Sequence, residues 1–138
     1  MNNKKYKYVV FDFDGVVCDS TNECMVTSWN AWDRWNNGNQ FRKNLNEFNQ
    51  IEIDAFRPLR PYVRGASEYY IIMRVINSSN VYINNQKDFE KFAIKWQANL
   101  KPFQLLFFQE RKRLKKMDSI SWIELHHIYS DVIRVMKN

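Results

Sequence analysis

Asp12 and Asp14, separated by one residue, stand at the end of an apolar run, followed directly by Gly15 and, after three intervening residues, by Asp19 and Ser20. Side chains alternate faces along a strand, so two acids two positions apart, where a strand gives way to a turn, project toward the same side. Gly15 lets the chain fold back beneath them. Close carboxylates repel each other and both would repel a phosphate, which makes Mg²⁺, with its oxygen ligands, the natural neutralising partner. The pair can divide the work of phosphoryl transfer. One carboxylate attacks phosphorus, while the other protonates the departing alcohol and then activates water. An acid followed by glycine is also a common turn, and it is the apolar run before the pair and the Asp-Ser after it that favour chemistry.

The stretch VVFDFDGVVCDS, residues 9–20, resembles the first motif of the haloacid dehalogenase superfamily of phosphohydrolases, an apolar strand ending in Asp-x-Asp-Gly with Asp-Ser often following. The resemblance implies Asp12 as nucleophile and Mg²⁺ ligand, and Asp14 as acid/base and second metal-site residue. It makes Asp19 and Ser20 the start of a segment entering a cap. The helical sequence that follows is similar to the helical cap of phosphoglycolate phosphatases and phosphoglucomutases in that superfamily. The implied fold class is α/β by lineage, but this chain is expected to be mostly α, with one N-terminal core strand followed by an α-helical cap. The expected division is residues 1–19 as strand and catalytic loop, 20–117 as cap, and 118–138 as a helical return toward an α/β core. The implied substrate is a small phosphorylated metabolite.

The elements that must position these residues follow from periodicity. Tyr6 to Phe11, aromatic and β-branched, predicts a buried strand. From Ser20 the spacing of Met25, Trp29, Trp32 and Trp35 predicts a helix, with a capping box between Ser20 and Glu23. A second helix is expected over Phe41 to Phe56, then a loop over residues 57–65, where two prolines bias their predecessors toward extended backbone. A third helix follows over Ala66 to Ile76. Asp88 to Leu100 and a run from Pro102 to Lys116 predict two more, with Pro102 as the first residue of the latter. Ser121 and Glu124 offer another capping box, and Ser130 caps a short final helix. VINSS, residues 75–79, continues a helical stripe and is not read as a strand.

A superfamily site also needs a Ser or Thr ending a second strand, a Lys or Arg near a later helix, and an acid pair ending a fourth strand. Residues 21–138 contain no apolar strand followed by paired acids. A lone strand leaves both edges unpaired, so the expectation is a truncated product or a chain whose sheet is completed by a missing segment or another polypeptide. Alone, it is expected to turn over little or no phosphate ester.

The 138 residues suffice for one core, with 45% apolar residues and few glycines for a sheet-rich protein. Net charge is +6, which suits acidic ligands. Arg57, Arg60 and Arg64, in RPLRPYVRG, are candidate substrate-binding residues because guanidinium forks match phosphate oxygens; a charged surface beside a proline-shaped helix entry is the plainer alternative. ERKRLKK, residues 110–116, reads as a solvated helix face in preference to a nucleic-acid contact. Adjacent His126 and His127 make a poor metal pair. The five tryptophans read as core residues. Cys18 and Cys24 read as free thiols of a reducing compartment. No stretch has membrane-spanning length or a signal-peptide core, so a cytoplasmic protein is expected.

Overall fold

A computed structural model describes residues 10–137, over which the chain is mostly helical with one two-stranded sheet. The core forms where three helices meet: α1 (Thr21–Trp35), α3 (Tyr69–Ile76) and α5 (Gln97–Met117). Helix α3, YYIIMRVI, is apolar almost all round, and that composition is what a helix needs to sit between two others. Arg74 is its one exposed residue. Against it α5 turns Phe103, Phe107 and Leu114, all fully buried at helical spacing, and α1 adds Met25, Val26 and Ala31. Phe56 stacks on Tyr69 at 6.2 Å and Tyr69 on Phe107 at 4.8 Å, so a ladder of three rings joins α2 (Gln50–Phe56), α3 and α5. Trp32 and Trp35 pack on Tyr70 and Phe103, and the other tryptophans also lie against the core.

Among the described residues two carboxylates lie inside this apolar interior, and each is paired. Glu110 of α5, fully buried, meets Arg34 and Arg113. Glu23 of α1 meets Arg111 of α5. Both networks fasten α1 to α5, or α5 to itself, at points where an unpaired charge would be costly.

Several expected boundaries move. Of the strand Tyr6 to Phe11, residues 6–9 lie outside the described residues, while Val10 and Phe11 are exposed and belong to no strand. The sheet instead pairs β1 (Cys18–Asp19) antiparallel with β2 (His127–Ile128), Cys18 opposite Ile128 and Asp19 opposite His127. The Tyr129 N–H extends the pairing by donating to the Val17 carbonyl at 3.0 Å. The Ser20–Glu23 capping box does not form: Glu23 turns inward to Arg111, and Asp19 takes over the helix start by accepting from the Thr21 N–H at 2.8 Å.

The helix expected over Phe41 to Phe56 divides into a 3₁₀ turn (Leu45–Glu47) and α2, each with its own capping box, from Asn44 and Asn49. Two asparagines that cap so well compete with a continuous helix. The loop expected over 57–65 is largely a 3₁₀ helix (Arg57–Tyr62), with Arg57 at φ −55° and ψ −44° despite the proline after it. Helical backbone there sets Leu59 and Tyr62 against the core, and that burial outweighs the pre-proline bias. A second short 3₁₀ turn (Ala66–Glu68) leads into α3.

Pro102 does not start α5. The break falls at Trp96, between α4 (Gln86–Lys95) and α5, and Pro102 sits inside α5 at an exposed position where water can serve the Ala98 carbonyl it leaves free. Asp118, not Ser121, caps α6 (Ser119–Glu124) by accepting from the Ser121 N–H. Helix α7 (Ser130–Met136) begins without a side-chain cap from Ser130. Ser78 lies in the turn after α3. No helix among the described residues is long and apolar enough to cross a membrane.

Candidate functional site

The acid pair sits on a tight turn. Gly15 has φ +77°, the left-handed region that a residue without Cβ enters freely. Its N–H reaches the Cys18 carbonyl at 2.7 Å, and the Phe13 carbonyl accepts from the N–H groups of Val17 and Cys18 at 2.9 and 3.1 Å. This knot precedes β1, whose pairing with β2 anchors the turn to the body of the protein. Asp12 accepts from the Phe13 N–H at 2.8 Å through Oδ1, and both aspartates are open to solvent.

Asp12, Asp14 and Gly15 line a cavity of about 460 Å³. Arg60 and Arg64, on the 3₁₀ helix and the loop after it, line the same cavity, with Cys24, Val63, Ala66 and Tyr69. Two of the three arginines singled out in RPLRPYVRG therefore share one cavity with the two aspartates. Arg57 does not line it; its guanidinium donates to the Asn22 side chain at 3.2 Å. Arg64 donates to the Pro61 carbonyl and the Gln86 side chain. Arg60 lies over the Tyr69 ring at 5.6 Å, and its Nε is buried without a partner among the described residues. A guanidinium N–H in that condition is a donor awaiting an acceptor.

Arg111 is the third cationic residue of the cavity, and the basic run 110–116 concealed it. That run is only in part the solvated face expected: Lys112, Lys115 and Lys116 are exposed and Leu114 lies on the apolar side, but Glu110 is also fully buried and Arg111 turns inward. Arg111 grips Glu23 with a fork, Nε to Oε1 at 2.9 Å and Nη2 to Oε2 at 2.7 Å. Thr27 and the Trp122 indole also donate to Glu23, at 2.8 and 3.4 Å. Burial alone would lower the Arg111 pKa, but the bonds and charge of Glu23 outweigh it and hold the group above its ordinary value. A detectable signal existed: Phe103, Phe107, Glu110 and Leu114 share one helical stripe, and an acid on a core stripe demands arginine partners nearby.

Around the cavity, burial and then the charge of Glu23 push the Cys24 thiol up, and burial pushes Tyr69 up as well. Asp19 behaves oppositely. Its partial burial would raise it, but bonds from Thr21 and the charges of Arg60 and His127 hold it below the ordinary carboxylate value. Cys18 and Cys24 are free and buried. His126 places Nδ1 2.9 Å from the Trp122 carbonyl and His127 is exposed, so the two histidines serve different surroundings.

The donor set at the aspartates fits a hard cation that keeps much of its water. Mg²⁺ commonly takes one or two carboxylates, and two solvent-open ones face this cavity. Among the described residues no group of three or more His, Cys, Asp or Glu is assembled that could hold a metal ion. Comparison with protein-family models, with curated proteins and with solved structures finds no match to the chain.

Proposed function

We propose that the chain carries the nucleophile motif and the substrate-binding helical cap of a Mg²⁺-dependent phosphomonoester hydrolase of the haloacid dehalogenase type. The observation that carries this reading is the single cavity lined by Asp12 and Asp14 together with Arg60 and Arg64. Acids suited to phosphoryl transfer and guanidinium groups suited to phosphate converge although some forty-five residues separate them in sequence.

In this scheme Asp12 Oδ forms a bond to phosphorus as the bond from phosphorus to the ester oxygen breaks. Asp14 gives its proton to the departing alkoxide. Water then attacks the aspartyl phosphate, Asp14 takes its proton, and inorganic phosphate leaves with Asp12 regenerated. Arg60 and Arg64 bind and orient the phosphate oxygens throughout. Mg²⁺ held by the Asp12 carboxylate and the Asp14 backbone carbonyl would supply charge neutralisation on the phosphate side and leave the Asp14 carboxyl free for proton transfer. Efficient turnover further requires a fixed cation and added metal ligands near phosphorus, which a segment or second chain completing the small sheet would contribute. Turnover of a generic aryl phosphate by this chain alone is accordingly expected near background.

The deciding experiment is therefore binding. Calorimetric titration of inorganic phosphate should show one saturable site that needs Mg²⁺, is weakened by Arg60→Gln, and disappears in Asp12→Asn. Absence of phosphate binding in the presence of Mg²⁺, or equal binding by Asp12→Asn, would overturn the proposal.

A second reading, a helical interaction module that retains the motif as a relic, is favoured by one observation. Phe13, Ile123 and Ile128 of β2 line one shallow depression and Phe11, Val135 and Met136 another, and all six are exposed. Exposed apolar residues gathered in this way mark contact surfaces. Sedimentation that shows association, combined with no phosphate binding, would select this reading.

A further inference from the structure

The proposed phosphate site contains a charge balance that specifies its substrate. Among the described residues of its lining, Asp12 and Asp14 offset Arg60 and Arg64. Arg111 adds no net charge, because Glu23, 1% exposed, cancels it from behind with a bidentate pair. Two acids outside the lining add negative charge nearby: Asp19, which accepts from the Thr21 N–H and is held low in part by the charge of Arg60, and Glu68, which accepts from the N–H groups of Arg64 and Gly65. With a divalent cation on the aspartate turn, the cations of the lining left to meet an anion are Arg60, which Asp19 partly offsets, and Arg64. They suffice for one phosphate group, and no further uncompensated cation of the lining faces a second anionic group.

The rest of the cavity agrees with that count. Beyond the arginines and the aspartate turn its lining is Cys24, Val63, Gly65, Ala66 and Tyr69. The Tyr69 side chain is buried and kept in its neutral, protonated form. A carboxylate placed against this lining would lose water and gain no uncompensated cation. We propose that the site is selective for phosphomonoesters whose organic part is uncharged, and that Glu23 is a specificity-determining residue because it cancels the charge of Arg111. This inference rests on the phosphate-site reading above and concerns the remainder of the substrate.

The test uses two ligands of nearly equal size, glycerol 3-phosphate and 3-phosphoglycerate, which differ in a neutral hydroxymethyl group and a carboxylate. Calorimetry on the whole chain with Mg²⁺ should give at least tenfold tighter binding of glycerol 3-phosphate. In Glu23→Gln, where Arg111 is left uncancelled, the preference should shrink several-fold because 3-phosphoglycerate gains affinity. Should that variant not fold, the wild-type pair of affinities still decides the matter. Equal or tighter binding of 3-phosphoglycerate by the wild type would overturn the inference while leaving the phosphate site intact. Failure of both ligands and of inorganic phosphate to bind would instead overturn the phosphate-site reading, and this inference with it.

Discussion

Arg111→Ala removes the principal partner of a carboxylate that is 1% exposed. Breaking a buried pair from one side costs about 3–5 kcal/mol, because the remaining charge is stranded without solvent. Here Thr27 and Trp122 still donate to Glu23, which places the expected loss at the lower end, about 3 kcal/mol. A domain of ordinary stability has about 5–15 kcal/mol in total, so the variant should fold but melt early. With a urea slope of about 1–3 kcal/mol/M, the unfolding midpoint read by far-ultraviolet circular dichroism should fall by about 1–3 M. Arg34→Ala should cost less, since Glu110 keeps Arg113 at 3.4 Å. The double variant Glu23→Gln, Arg111→Gln should recover most of the loss, because it leaves two neutral groups able to hydrogen-bond. A loss below about 1 kcal/mol for Arg111→Ala, or no recovery in the double variant, would refute the claim that this pair holds α1 to α5.

Other outcomes follow from the same structure. Cys24 is held above its ordinary value of 9.0, by burial first and then by Glu23, and Tyr69 is raised too. Their stabilising contribution is complete below pH 9 and is lost as pH rises, because the unfolded chain releases protons that the folded chain retains. Urea midpoints should therefore drop between pH 8 and pH 10.5, and drop less in Cys24→Ala. Gly15→Ala meets no neighbouring atom within 4 Å but forces a φ of +77° on a residue with a Cβ, so thermal unfolding should report a loss of about 1–2 kcal/mol. Phe103→Ala opens a cavity beneath Trp32, Trp35 and Tyr70 and should cost about 3–5 kcal/mol by the same urea assay.

What could be read from sequence was what periodicity encodes. Helix α1 was legible because Met25, Trp29 and Trp32 repeat at helical spacing, and α3 because its apolar residues admit no other placement than the interior. The acid pair was legible because two aspartates and a glycine form a local pattern. Features set by tertiary contacts were not. Strands β1 and β2 are two residues each, too short to leave an alternation, and they pair across more than a hundred positions. The helical backbone at Arg57 and the interior placement of Pro102 run against local preference, and packing decided both. Arg111 was masked by its neighbours: among seven charged or flanking residues in one run, only contact with Glu23 distinguishes it.

The central claim is that phosphate and a divalent ion share the cavity between Asp12, Asp14 and the arginines. Paramagnetic Mn²⁺ in place of Mg²⁺ addresses it directly through the ³¹P resonance of inorganic phosphate bound to the whole chain. The account predicts strong broadening with wild-type protein, and broadening no greater than that of free solution with Asp12→Asn. Phosphate that binds without broadening, or broadening that survives that substitution, would contradict it.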